Sequence, residues 1–346
     1  MRVLVTGHNG YIGSVMVPVL QSAGHDIVGL DTYFFEECTL LDGCHALPAL
    51  RKDARDVTDK DLIGIDAIVH LAALCNDPLG DLNPDWTDDI NFKTSFRLAK
   101  LAKEAGVQRF LYASSCSMYG AAGDGLLTEE APLKPLTPYA ASKAHTEEQL
   151  AKLADKNFCP VYMRNATAYG VSPRLRADVV LNNLVCWAFT TGKVRILSDG
   201  TAWRPIVHVE DIARACVAAL AAPMATVNNC AFNVGVNGEN YQVRDLAEIV
   251  KETVPGCTVE YSRQGGADSR NYQVDFSKIK ETIDFKPKWN ARLGARELHS
   301  AFQRVGLTQE DFLGRKYTRL AQLKHLLETK RLDNDLRWTN GTHASH

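Results

Sequence analysis

A tyrosine and a lysine stand one helical turn apart in Tyr139-Ala140-Ala141-Ser142-Lys143, so on a helix both side chains leave the same face. Free tyrosine titrates near ~10 and is almost wholly protonated at neutral pH, but a neighbouring ammonium group favours the phenolate. Such a phenol can take a proton from an alcohol while hydride leaves the same carbon. Upstream, Ser114-Ser115-Cys116-Ser117-Met118-Tyr119-Gly120 follows an apolar run and sets Ser115 at a strand end. Alone, each segment is ordinary: Tyr–Lys pairs are common on helix surfaces, and strand-end serines often satisfy backbone groups. Together they point to oxidation of an alcohol.

The acceptor of that hydride is suggested by Thr6-Gly7-His8-Asn9-Gly10-Tyr11-Ile12-Gly13, which directly follows a strand pattern and opens a helix. Gly7, Gly10 and Gly13 permit a tight turn, let backbone N–H groups approach a pyrophosphate and allow close helix–strand packing, with Asn9, Tyr11 and Ile12 completing the loop. The helix N-terminus adds partial positive charge. Asp31 closes the next apolar run; a carboxylate there accepts hydrogen bonds from adenosine ribose and repels a 2′-phosphate, which favours NAD over NADP. Asp56 and Val57, after a third apolar run, are candidates to meet the adenine through the Asp side chain or the valine backbone, with a solvated Asp as the alternative.

These residues need a scaffold that brings strand ends together. Runs at Val3–Thr6, Asp26–Leu30, Ala67–Leu71, Arg109–Ser114 and Val161–Arg164 read as strands. Gly13–Ala23, Thr94–Ala105 and Tyr139–Leu153 carry apolar residues at helical spacing. This alternation predicts an α/β fold with a parallel sheet covered by helices on both faces. Pro18 falls inside the first helix and is expected to kink it or demand tight packing. Beyond Gly170 the elements shorten, with helices expected at Val179–Thr190, Asp211–Leu220 and Val243–Thr253. A division follows into a cofactor-binding domain over 1–168 and a substrate-binding lobe over 169–346, with some segments crossing back. The basic stretch Tyr317–Arg331 reads as a packed C-terminal helix.

The chain has 346 residues, 45% of them apolar and 23% charged, with a formal charge of -2. That composition suits a globular protein and excludes collagen-like, disordered and strongly basic nucleic-acid-binding classes. No apolar run approaches the roughly 20 residues that cross a bilayer, and MRVLVTG lacks the pattern of a signal peptide, so a cytoplasmic protein without membrane partners is expected. The 9 cysteines are scattered and never spaced C-x-x-C, which argues for buried thiols and against a metal site.

Taken in order, TGHNGYIG, HLAA at His70–Ala73, SSCSMYG, YAASK and WRPIVHVEDIA at Trp203–Ala213 resemble the extended short-chain dehydrogenase/reductase superfamily, specifically its NAD-dependent nucleotide-sugar epimerases and dehydratases. The resemblance implies a Rossmann-type doubly wound parallel sheet with a smaller C-terminal α/β substrate-binding lobe, NAD as cofactor, a nucleoside-diphosphate sugar as substrate, and a homodimer formed through the Thr94–Ala105 and Tyr139–Leu153 helices. It implies that Tyr139 is the base, Lys143 its electrostatic partner, and Ser115 the hydroxyl that binds the reacting alcohol. By the same resemblance Leu71, Ala72, Ala73 and Ser114 lie along the cofactor, Asn91 is structural, and Arg204 and Arg270 neutralise the substrate pyrophosphate, a task suited to guanidinium forks. Each arginine has an alternative as a structural ion pair, for Arg204 with Asp211. Asn76, Ser117, Asn182 and Asn183 are further substrate candidates, the two helix asparagines with a plain helix-surface role as the alternative. Thr167 stands where the similar enzymes carry asparagine in R-x-x-N-x-Y-G, and a hydroxyl replaces only part of an amide's hydrogen bonding.

The resemblance also separates reactions. Sugar 4,6-dehydratases carry an Asp-Glu pair after the active-site Ser/Thr, and uronic-acid decarboxylases usually keep the Glu; here Cys116 and Ser117 occupy those places. An epimerase needs only the Ser-Tyr-Lys set and retained NAD. The expectation is therefore a nucleotide-sugar epimerase acting at C4, with a dehydratase, ketoreductase or dehydrogenase of the same family as the enzymatic alternative. A non-catalytic NAD-binding regulator is the alternative of a different class, although it would not need Ser115, Tyr139 and Lys143 together. Cys116 is expected to be an inert buried thiol rather than an acid/base.

Overall fold

The computed structural model of the chain describes residues 1–41, 47–75, 83–261 and 270–339. Seven strands build its central sheet: β1 (Arg2–Thr6), β2 (Asp26–Asp31), β3 (Ala49–Arg51), β4 (Ala67–His70), β5 (Arg109–Ser115), β7 (Cys159–Asn165) and β11 (Cys230–Val234). They pair in parallel in the order β11-β7-β5-β4-β1-β2-β3. Parallel strands are covered on both faces and so read as continuous apolar runs; Val3, Leu4 and Val5 of β1 are all fully buried. The order reverses at β1, because the chain moves to one side through β2 and β3 and returns to the other through β4. A crevice for ligands opens outside the strand ends at such a switch point.

Helices Gly13–Ser22 and Val209–Ala221 pack on one face around Met16, Leu20, Ile212 and Cys216. Thr94–Glu104 and Pro138–Ala151 belong to the other, whose core includes Leu98, Phe110, Leu150 and Phe158. The first helix runs unbroken through Pro18, so the proline is accommodated by packing: Met16, Val17 and Leu20 beside it are buried.

Smaller sheets build the second lobe. β8 (Thr167–Tyr169), β10 (Trp203–His208) and β12 (Asn240–Gln242) form one; β9 (Lys193–Ile196) pairs with β13 (Thr258–Tyr261). Their core gathers Leu181, Ile206, Leu246, Leu298 and Phe302. The chain crosses back twice over: β11 joins the central sheet, and β14 (Asn271–Val274) pairs with β6 (Ala121–Leu127). The Val209–Ala221 helix and β11, both beyond residue 168, are among the segments that pack with the first layer. The C-terminal helix, Arg319–Glu328, and a following bridge between Leu332 and Trp338 pack on Phe34. No helix among the described residues is long and apolar enough to cross a membrane.

Candidate active site

One cavity of roughly 1090 Å³ runs from the switch point into the second lobe. At its dinucleotide end lie Gly7, Gly10, Tyr11, Ile12, Gly13 and Asp31. The glycines are required by contact: a Cβ on Gly13 would fall 2.1 Å from the Gly7 carbonyl oxygen, and Gly7 has φ +73° with a Cβ position 2.9 Å from the Ala72 nitrogen. The Asp31 carboxylate accepts the backbone N–H groups of Asn9 at 3.0 Å and Tyr33 at 2.7 Å. Burial pushes its pKa up against the opposing pull of those donors and of His8. Further hydroxyl donors at this carboxylate would stabilise its charged form, which is what an adenosine ribose offers.

The ends of β1 and β4 are tied by a neutral histidine. Ser95 Oγ donates to the Asn91 carbonyl at 2.6 Å, so it accepts from His70 Nε2 at 2.8 Å, and the Thr6 hydroxyl donates to His70 Nδ1 at 2.7 Å. Burial drives the imidazole down to about 3, so it holds this tautomer at neutral pH. Leu71, Ala72 and Ala73 follow directly and line the cavity. Asn91, fully buried, clamps both backbone polar groups of Leu74 at 2.8 and 3.0 Å, a structural role.

Tyr139 and Lys143 reach the cavity because their helix starts in the right place. Thr137 caps it by accepting the Ala140 N–H at 3.2 Å, Pro138 occupies the first turn, and Tyr139 follows. Lys143 is 2% exposed, donates to the Ala113 carbonyl at 2.7 Å, and its ammonium lies 5.7 Å from the Tyr139 ring centre. Burial lowers its pKa to about 8, with Cys75 and Glu147 opposing. Ser115 ends β5 and caps a short turn, accepting the Ser117 N–H at 3.2 Å; the two hydroxyls lie 2.8 Å apart. Ser114, Ser115, Ser117, Tyr139 and Lys143 all line the cavity. Cys116 points away from it, donating to the Arg164 carbonyl at 3.0 Å, with burial pushing its thiol far up.

At the far end Arg204 and Arg270 line the same cavity, and Arg204 Nη1 donates to the Arg270 carbonyl. Asp211 does not hold Arg204; its carboxylate accepts the N–H groups of Lys288 at 2.9 Å and Trp289 at 3.0 Å. Thr167 also lines the cavity.

Other expected contacts are placed elsewhere. Asn9 contributes its backbone to Asp31, but its side chain is turned inward to accept from Arg174 at 2.9 and 3.1 Å. Asp56 pairs with Arg337 and Val57 is fully buried; Asp53 and Ala54 line the cavity in their stead, because the chain leaves β3 in a tight turn. Asn182, also fully buried, is a clamp: its Oδ1 accepts the Gly170 N–H at 2.9 Å and its Nδ2 donates to Tyr11 Oη at 3.1 Å. The next residue, Asn183, faces the cavity. Asn76 lies outside the described residues.

Several lining residues carried no local signal in sequence. Asn165 pairs in register with Ser115, and its Oδ1 is buried without a partner at the cavity wall. Strand alternation finds it: Arg164 turns to Glu147 at 2.7 Å, so Asn165 must face the other way. Arg176 and Arg195 join from the second lobe, and Thr318, Arg319 and Leu320 from the C-terminal segment.

Known proteins are similar to this chain over most of its length. The model of the NAD dependent epimerase/dehydratase family matches residues 3–235. The chain is 28% identical over 323 residues to UDP-glucuronic acid decarboxylase 1 of Arabidopsis thaliana, covering 91% of this chain and 72% of that protein. It is 29% identical over 300 residues to the UDP-glucose 4-epimerase of Mycolicibacterium smegmatis, covering 83% and 94%. The solved structure of MoeE5 in complex with UDP-glucose and NAD superposes with a TM-score of 0.74 at 26% identity, covering 89% of this chain and 100% of that one.

Proposed function

The chain belongs to the NAD dependent epimerase/dehydratase family, and from that premise we propose that it is a nucleotide-sugar epimerase that inverts C4 of a hexose or related sugar. NAD is its cofactor; when bound, it supplies the oxidant that accepts and returns hydride at the sugar carbon. The glycine loop, Asp31 and Leu71–Ala73 would hold it.

The observation that carries the reading is the company kept by Ser115 in the cavity. Tyr139 and Lys143 share that cavity with it, while the turn after it offers Ser117 and a thiol held away, and no carboxylate. Loss of water or carbon dioxide requires further acid/base work on neighbouring carbons. Inversion through a ketone requires only that one proton be taken and restored at one oxygen. Tyr139 takes that proton, Ser115 orients the hydroxyl, and the Lys143 charge favours the phenolate. Arg204 and Arg270 anchor the diphosphate, and Asn165 with Thr167 and Ser117 offers hydrogen bonds to the sugar. With the diphosphate anchored by Arg204 and Arg270, a ketone free to pivot in the cavity would offer either face to the bound cofactor.

A homodimer forms part of the proposal, through the faces carrying the half-buried Phe92 and Phe96 beside His145, which packs edge-on to Phe92 at 6.0 Å; light scattering in solution tests it. The reaction is tested by offering UDP-, dTDP-, GDP- and CDP-sugars and following products by NMR and mass spectrometry. Epimerisation gives a new anomeric spin system at unchanged mass. Loss of water or of carbon dioxide would appear as a mass decrease, and net redox as accumulating reduced or oxidised dinucleotide; either would replace this reading.

A further inference from the structure

The C-terminal segment brings a buried cation to the dinucleotide end of the cavity. Arg319, first residue of the Arg319–Glu328 helix, lines the cavity and is 5% exposed. Its Nη2 donates to the Arg174 carbonyl at 2.7 Å, and its guanidinium lies 4.5 Å from the centre of the Phe35 ring. Its Nη1 is buried with no hydrogen-bond partner. Among the described residues no carboxylate pairs with it: Asp178, nearby, is engaged by Arg176 Nε at 2.9 Å and Nη2 at 3.1 Å. A desolvated cation with an unused donor is costly unless an anion completes it.

Its location says which anion. Arg174, whose carbonyl holds Arg319, reaches Asn9 of the glycine loop, and Ser172 donates to the Tyr11 carbonyl of the same loop at 2.8 Å. Arg319 thus sits one backbone segment from the turn where a pyrophosphate meets the helix N-terminus. Arg204 and Arg270, by contrast, belong to the far end.

The segment is also fastened there. Arg55 donates Nη1 to the Asp335 carbonyl at 2.8 Å and Nη2 to the Leu336 carbonyl at 3.1 Å, and Trp338 donates to the Thr32 carbonyl at 2.7 Å. Leu323, Leu326, Leu332 and Leu336 cluster on Phe34, beside the cavity-lining Phe35.

We propose that Arg319 is a ligand of the NAD pyrophosphate, so that the C-terminal segment is a clasp that retains the dinucleotide. The inference rests on NAD being the cofactor and not on the sugar reaction assigned above.

Arg319→Gln removes the charge but keeps an N–H for the Arg174 carbonyl; Arg319→Lys restores a charge. Dinucleotide-depleted full-length proteins are titrated with NAD, ADP-ribose, adenosine and UDP, with circular dichroism as the folding control. A charge-assisted hydrogen bond of ~1.5–3 kcal/mol predicts that Arg319→Gln binds NAD and ADP-ribose roughly 10- to 100-fold more weakly, with adenosine and UDP unchanged and Arg319→Lys intermediate. Should Arg319→Gln fail to fold, Arg319→Lys is expected to lose several-fold in NAD affinity relative to adenosine, since a point charge replaces the fork. Equal weakening of NAD and adenosine would assign the arginine a packing role. Weakened UDP with intact NAD would move it to the substrate phosphate, and unchanged affinities throughout would remove it from phosphate binding; each result overturns the proposal.

Discussion

Lys143 is held in the wall of the active site at a thermodynamic cost that pH can switch off. Burial lowers its pKa to about 8 where the free amine titrates at 10.5, so between those values the unfolded chain binds a proton that the folded protein does not. Stability therefore rises with pH across that window and falls as pH drops through the folded pKa. Integrating the two titrations, the penalty on the folded state is about 3 kcal/mol at pH 7 and about 1 kcal/mol at pH 10. Lys143→Met keeps the apolar stem and removes the titration. In dinucleotide-free protein, wild type is expected to gain about 2 kcal/mol on the variant between pH 7 and pH 10, or about 3 °C in the difference of melting temperatures for a chain this size. Differential scanning calorimetry of both proteins across that range reads it, and all groups common to the two cancel. A melting-temperature difference that stays flat with pH would refute the assignment of a desolvated ammonium at this position.

Other substitutions probe the remaining parts of the cavity. Asp31→Ala should weaken NAD roughly 10- to 100-fold, from the loss of charge-assisted hydrogen bonds, and narrow the preference over NADP, as read by binding titrations with both dinucleotides. Gly13→Ala should abolish dinucleotide binding, because the new Cβ would overlap the Gly7 carbonyl oxygen and the His8 Cα, 2.1 and 2.6 Å away; equilibrium dialysis of folded protein checks this. Arg204→Leu should raise KM for the nucleotide sugar about 10- to 100-fold with a smaller change in kcat, since the diphosphate contact is made equally in ground and transition states.

How much of this was legible beforehand depended on whether a function is encoded by local spacing. The glycine loop, Asp31 at the end of β2 and the Tyr139–Lys143 turn each lie within one strand–turn–helix unit, and the parallel sheet delivers them to one edge. After Arg51 the chain turns so tightly that Asp53 and Ala54 line the cavity ahead of Asp56 and Val57, a displacement that strand and turn patterns do not encode. Of the neighbouring Asn182 and Asn183, the first turns into the Tyr11–Gly170 contact and the second outward to the cavity, a choice set by helix phase that adjacent identical residues do not reveal. Arg319 has no local signature at all. Its meaning comes from Arg174 and Phe35, distant in sequence, so the basic C-terminal stretch read as nothing more than a packed helix.

The account turns on the phenol of Tyr139 as the group that takes and restores the sugar proton. NMR-monitored interconversion of C4 epimers by wild type and Tyr139→Phe, with nucleotide-sugar and NAD affinities measured on both, tests it most directly. The account predicts that the variant binds both ligands as wild type does and interconverts the sugars roughly 10²- to 10⁴-fold more slowly, the span of general-base catalysis. Turnover by Tyr139→Phe at the wild-type rate would contradict it.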